Sequence, residues 1–262
     1  MPRANPTYSD EDKEKFRRNP DSMRQLRAEQ MAMFEHGFSS AVVGENEQAL
    51  KAIAAATLAN LENSVKDPVL REKLRPSYAA ACKRLIMADD YYDAIQRPNA
   101  ELVTESITAI EPNGVRTADG RLHELDVLVL ATGFKVDRFL RPIEVIGKGG
   151  RTLEQIWAQR PFAYLSVSVP EIPNLVLLNG PNGPVGNFSL IDVADIQIDY
   201  FLQLVERVCA GEFRTFAVQP EVAEVFEAER VAATRKTVWV SGCNSWYLDD
   251  RVVPAAWPWS ML

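Results

Sequence analysis

The run Asp126-Val127-Leu128-Val129-Leu130-Ala131-Thr132-Gly133-Phe134 constrains this chain more than any other stretch. Its apolar residues do not alternate with polar ones, which is the pattern of a strand buried on both faces in a parallel sheet. The run ends in a small-small-glycine turn. Such a turn lets backbone approach a ligand closely and leave the strand sharply, but it also serves as a plain strand-to-loop exit. A parallel sheet that binds a dinucleotide carries a G-x-G-x-x-G loop after one of its strands. That pattern occurs nowhere in the 262 residues.

A chain of this length holds one large domain or two small ones. The net charge of -7 and pI near 5.1 argue against nucleic acid as a main partner. Cys82, Cys209 and Cys243 are scattered and odd in number, no C-x-x-C occurs, and the histidines are His36 and His123 alone. A zinc site is therefore not expected, and a reducing compartment is. Both histidines read as surface or boundary residues. The opening Met1-Pro2-Arg3-Ala4-Asn5 leads into a polar stretch rather than a signal peptide, and no apolar run reaches the ~18 residues of a spanning helix. A soluble, cytoplasmic protein without a membrane partner is expected.

Residues 1–20 read as a polar arm with a short helix, and Asn19-Pro20-Asp21-Ser22 starts a longer one. Leu50, Ile53, Ala54, Thr57, Leu58, Leu61 and Val65 form a helical stripe, and Asp67-Pro68 caps a short helix through Leu74. After Arg75-Pro76 the spacing predicts strands at Glu101–Thr104 and Ile107–Ile110. Turns at Pro112-Asn113-Gly114 and Ala118-Asp119-Gly120 flank Val115-Arg116-Thr117, giving a meander that feeds the Asp126–Leu130 strand. A short helix around Leu153–Trp157, strands at Tyr164–Val169 and Leu175–Leu178, a helix from about Ser189 to Val208 and a last helix from Pro220 complete the reading.

Four places could carry chemistry. Ala131-Thr132-Gly133-Phe134 is the turn already described. Leu177–Asn187 is a strand, a Gly/Pro-rich loop and a helix N-terminus, whose free N–H groups suit an anion or an electron-rich ring edge. Cys82-Lys83-Arg84 places two cations beside apolar residues, either to hold phosphate or a developing anion or simply as a solvated basic pair. Trp246 and Tyr247 could close over a site or pack the C-terminus onto the core.

Read in order, these and other motifs resemble the Baeyer–Villiger monooxygenases, a class of flavin-containing monooxygenases. The resemblance is carried by Lys66-Asp67-Pro68, Leu74-Arg75-Pro76, Cys82-Lys83-Arg84, Asp90-Tyr91-Tyr92, Arg97-Pro98-Asn99 and Glu101-Leu102-Val103-Thr104. It continues through Thr117-Ala118-Asp119-Gly120, Ala131-Thr132-Gly133-Phe134, Pro173-Asn174, Gly180-Pro181-Asn182 and Ser245-Trp246-Tyr247. It implies an α/β chain: the C-terminal half of a two-dinucleotide-domain flavoprotein fold, with an N-terminal helical segment. The implied divisions are a helical segment at 1–75, a remnant of the NADPH-binding domain at 76–105 and the C-terminal half of the FAD-binding domain at 106–262.

The same resemblance implies FAD and NADPH as cofactors and oxygenation of a ketone to an ester or lactone. It assigns Arg84 to the arginine that stabilises the anionic peroxyflavin, and Lys83 to a position near the NADPH phosphate. Thr132, Gly133 and Phe134 map to a cofactor-proximal turn, Gly180, Pro181 and Asn182 to the loop beside the flavin ring, and Trp246 to a loop that closes over nicotinamide and substrate.

The family's two glycine fingerprints and its F-x-G-x-x-x-H-x-x-x-W/P signature are absent from this sequence. The isolated chain is therefore expected to bind neither cofactor tightly. It is expected to expose apolar surface and to need a separate N-terminal half, or to self-associate. The alternative is a non-catalytic truncated homologue that acts as an interaction or small-ligand-binding protein.

Overall fold

The computed structural model describes residues 6–184, 186, 188–248 and 253–260. The chain divides into two compact units. Thr57–Pro76 and Met87–Lys135 belong to the first; residues 6–56, Ser77–Ile86 and the chain from Val136 onward belong to the second.

The helices in chain order are α1 (Asp10–Arg18), α2 (Asp21–Phe34), α3 (Ser40–Val42), α4 (Glu47–Ser64), α5 (Pro68–Leu74), α6 (Tyr91–Ile95), α7 (Leu153–Ile156), α8 (Leu190–Cys209) and α9 (Pro220–Thr234). A π-helical turn, Glu35–Ser39, joins α2 to α3. Strands β1 (Ile107–Glu111), β2 (Gly114–Thr117) and β3 (Leu122–Glu124) form an antiparallel sheet in sequence order.

In the first unit the Asp67-Pro68 signal works as expected. The Asp67 carboxylate accepts from the backbone N–H groups of Val69 and Leu70, at 2.7 and 3.2 Å, and Pro68 occupies a first-turn position where no N–H is required. Arg71 donates back to the carbonyls of Val65 and Lys66, and Gln96 donates to those of Ser64 and Tyr92, so helix ends satisfy one another. Leu61 and Val65 of the helical stripe are buried. The meander pairs Ile110 with Val115 and Val115 with His123.

The strand expected at Asp126–Leu130 is not formed. The sheet stops at Glu124, and Val127 and Val129 are 74% and 80% exposed. A strand apolar on both faces is stable only between sheet neighbours, and no described residue of this chain pairs with it. Glu101–Thr104 is likewise irregular.

In the second unit, Tyr164–Val169 and Leu175–Leu178 form isolated bridges, Tyr164 to Ser168 and Ser168 to Val176, instead of strands. The chain turns too tightly there for a ladder, with Leu165 and Ser166 in the left-handed region at φ 52° and 60°. These bridges sit in a small core of Leu153, Ala163, Val169, Ile172 and Leu177. A second core joins Val42 and Val43 to Val238, Trp239, Tyr247 and Ala256. Cys82 and Cys243 meet within it as a disulfide with a Cα–Cα separation of 6.4 Å, a pairing the scattered cysteines gave no sign of, while Cys209 is free and exposed.

Candidate functional site

The site forms around the Gly/Pro-rich loop that begins at Asn179. Asn179 and Asn182 both take left-handed backbone, φ 51° and 63°, which asparagine tolerates better than other side-chain-bearing residues. Gly180 must be glycine because a Cβ there would overlap the Ser166 carbonyl oxygen. The Gly180 N–H donates to that same oxygen at 3.1 Å, and the Ser166 hydroxyl donates to the Gly180 carbonyl at 2.7 Å. On its other side the loop is stapled to α8. The Asn179 backbone N–H donates to Gln197 Oε1 at 2.7 Å and its side-chain amide donates to the Leu190 carbonyl at 3.1 Å. Ser189 caps α8, accepting from the Asp192 N–H.

The opposite wall is the Trp246-Tyr247-Leu248 turn and the segment from Val253. Arg230 of α9, 1% exposed, holds this wall. Its guanidinium donates to the carbonyls of Pro254 and Ala256 at 2.7 and 3.1 Å, and makes a fork with Glu227 at 2.7 and 2.9 Å. Arg160 pairs with the same carboxylate at 3.1 Å. A buried cation is tolerable here because carbonyls and a carboxylate replace its water.

Between the two walls lies a cavity of about 300 Å³, lined by Phe139, Pro181, Asn182, Trp246, Tyr247 and Pro254 among others. It is mostly apolar with a few polar groups, the usual make-up of a small-molecule site. Asn182 is 7% exposed, and its Oδ1 has no hydrogen-bond partner in the structure. An unpaired buried amide oxygen costs stability, so its presence on a cavity wall points to a ligand with a donor.

Tyr247 lines the same cavity. Its ring stacks on Trp246 at 4.1 Å and tilts against Trp239 at 5.4 Å. Burial pushes the Tyr247 phenol up, and the charge of Arg84 only partly opposes this.

The sequence-predicted residues therefore separate into three groups. Gly180, Pro181, Asn182 and Trp246 line one cavity, and Arg84 is exposed and not among the described residues that line it. Lys83 sits over the Tyr78 ring at 4.4 Å. Thr132, Gly133 and Phe134 lie in the first unit on an exposed loop, with Phe134 95% exposed. Sequence reasoning missed the Arg230–Glu227 fork, because a helical arginine and glutamate three apart look like any surface pair.

No family model matches the chain. Among curated proteins it is 41% identical over 210 residues to an uncharacterized monooxygenase of Mycobacterium tuberculosis, covering 80% of this chain and 42% of the relative. It is 31% identical over 252 residues to a Baeyer–Villiger monooxygenase of Pseudomonas aeruginosa, covering 95% and 47%. The chain is a homologue of the Baeyer–Villiger monooxygenases. It spans about half the length of the curated relatives it matches. Solved structures agree. A Baeyer–Villiger enzyme, OTEMO, crystallised with FAD and NADP, superposes with a TM-score of 0.73 at 26% identity, over 89% of this chain and 46% of that one. Cyclohexanone monooxygenase from Rhodococcus sp. Phi1 bound to NADP+ gives 0.70 at 31%, over 83% and 41%. Among the described residues, no helix is long and apolar enough to cross a membrane and no His/Cys/Asp/Glu group could hold a metal ion.

Proposed function

We propose that this chain is the C-terminal portion of an FAD- and NADPH-dependent Baeyer–Villiger-type monooxygenase. On this reading it turns a ketone, O2, NADPH and a proton into an ester or lactone, NADP+ and water. Residues 76–105 descend from the NADPH-binding domain and 106–262 from the FAD-binding domain. The observation that carries the reading is the single cavity that Gly180, Pro181, Asn182 and Trp246 line together.

The residues present fit one end of the cofactor. An apolar cavity with an unpartnered amide oxygen at Asn182 suits the edge of a flat, N–H-bearing ring. The phosphate end is not provided for, since no G-x-G-x-x-G loop is present. A separate N-terminal half supplies it on this reading. That half also covers the exposed Val127–Leu130 run and Phe134. When bound, the flavin supplies activated oxygen. This chain's contribution is a fixed positive charge at Arg84 for the developing anion, an amide at Asn182 to orient the ring, and aromatic walls at Trp246 and Tyr247 that exclude water. Lys83 contributes to NADPH binding. The reading places the protein in the cytoplasm, where ambient thiols oppose a bond such as Cys82–Cys243.

The test is co-expression with an N-terminal half that carries both glycine fingerprints. Ketone-dependent NADPH oxidation with ester formation is the expected result. The chain alone should leave FAD fluorescence unquenched at micromolar concentration. A second reading, a non-catalytic interaction or small-ligand protein, is favoured by the same exposed apolar run. It would win if no complement confers flavin binding while the chain still takes up small N–H donors in the cavity.

A further inference from the structure

We infer that Arg160 is an end wall of the apolar cavity and sets the length of ligand that the cavity takes. The inference rests on the reading of that cavity as a ligand site and deepens it.

A second cavity, of about 530 Å³, carries Arg151, Glu171 and Glu224 on its walls. Among the described residues, Arg160 alone lines both cavities. The chain on either side of it divides between them. Gln159 and Phe162 line the charged cavity and Pro161 the apolar one. Helix α9 divides in the same way, with Glu227 and Ala228 on the charged cavity and Arg230 on the apolar one. Two segments therefore meet to form a partition, and the Arg160–Glu227 ion pair joins them.

An arginine makes a wall only if it is held, because its long side chain otherwise samples many rotamers. Arg160 Nε lies 3.1 Å from Glu227 Oε1. That oxygen also accepts from Arg230 Nη2 at 2.9 Å, and Oε2 accepts from Arg230 Nε at 2.7 Å. Arg230 is tied in turn to the carbonyls of Pro254 and Ala256. The carboxylate is thus fixed independently of Arg160, which docks on it with 23% of its side chain exposed. An uncharged ligand that pushes past must pull the guanidinium off Glu227 and leave that carboxylate with one partner fewer. A ligand long enough to reach Arg160 stops there. The class that fits is a molecule with an N–H group for the unpaired Asn182 Oδ1 and an apolar body of bounded length.

Straight-chain primary amides, from butanamide to octanamide, test this by isothermal titration calorimetry on the full chain. Each added carbon should tighten binding roughly fourfold while it enters apolar space. The gain should stop at the carbon that meets Arg160. Arg160→Ala should move that break to a longer amide and leave the affinities of the shorter ones nearly unchanged. Glu227 keeps its fork with Arg230 in this variant, so the wall from Val253 should hold its place. If Arg160→Ala loses cooperative unfolding, Arg160→Gln replaces it, being shorter yet still able to donate to Glu227, and should move the break in the same direction. A break at the same chain length in wild type and variant would overturn the inference, as would amides that do not bind at all. The complementation assay of the oxygenase reading uses none of these amides, so either result can fail while the other stands.

Discussion

The hydroxyl of Tyr247 occupies the space that a side chain on Gly186 would need. Gly186 also has φ +96°, a left-handed conformation that side-chain-bearing residues rarely adopt. Two separate constraints therefore keep it a glycine. Gly186→Ala should destabilise the chain by about 1–3 kcal/mol. Adding Tyr247→Phe should recover the steric part and leave the dihedral part. A double-mutant cycle by urea denaturation measures both, and simple additivity would show that the overlap has no energetic weight.

Arg230 should be among the most sensitive single positions. Its buried guanidinium joins Glu227 to two carbonyls of the C-terminal segment. Arg230→Ala leaves the Glu227 carboxylate short of a partner and should cost roughly 3–5 kcal/mol. Arg230→Lys should recover little, because a point charge cannot serve the carboxylate fork and both carbonyls together. Limited proteolysis should show cleavage near residue 253 in both variants.

The hairpin should respond to acid. Hydrogen bonds from Arg116 hold Glu111 below the ordinary glutamate value of 4.5, against a smaller opposing effect of burial. A depressed folded value means that the pair contributes above 4.5 and that the contribution is lost as pH falls through the folded value. Carbon-13 titration of the Glu111 carboxyl should give a midpoint on the acid side of 4.5, and Arg116→Gln should return it toward that value.

The apolar run after β3 should make the isolated chain sticky. Val129 and Phe134 are 80% and 95% exposed. Replacing both with lysine should lower binding of an apolar dye and shift sedimentation toward monomer, with little loss of fold. Unchanged dye binding would place the sticky surface elsewhere.

Local signals in the sequence translated well. Asp67-Pro68 capped α5, Pro112-Asn113-Gly114 turned β1 into β2, and the stripe ending at Leu61 and Val65 became α4. These depend on neighbours within a few residues. The failures depended on partners far away or absent. Asp126–Leu130 has the composition of a central strand, but composition does not supply the strands on either side. The Gly180-Pro181-Asn182 loop and Trp246 could be picked out by residue type, and they do share a cavity. Arg84 is not among the described residues that line it, although it belongs to the same motif-rich sequence.

The Cys82–Cys243 bond closes a covalent ring on a stretch of chain 161 residues long. The whole meander and the apolar run lie within that stretch. A protease that cuts once anywhere from residue 83 to 242 therefore opens the ring without releasing a fragment. Nicked protein would migrate as one species until a reductant is added, then fall into two. Damage at the exposed Leu125–Phe134 loop would stay hidden in any assay run without thiol.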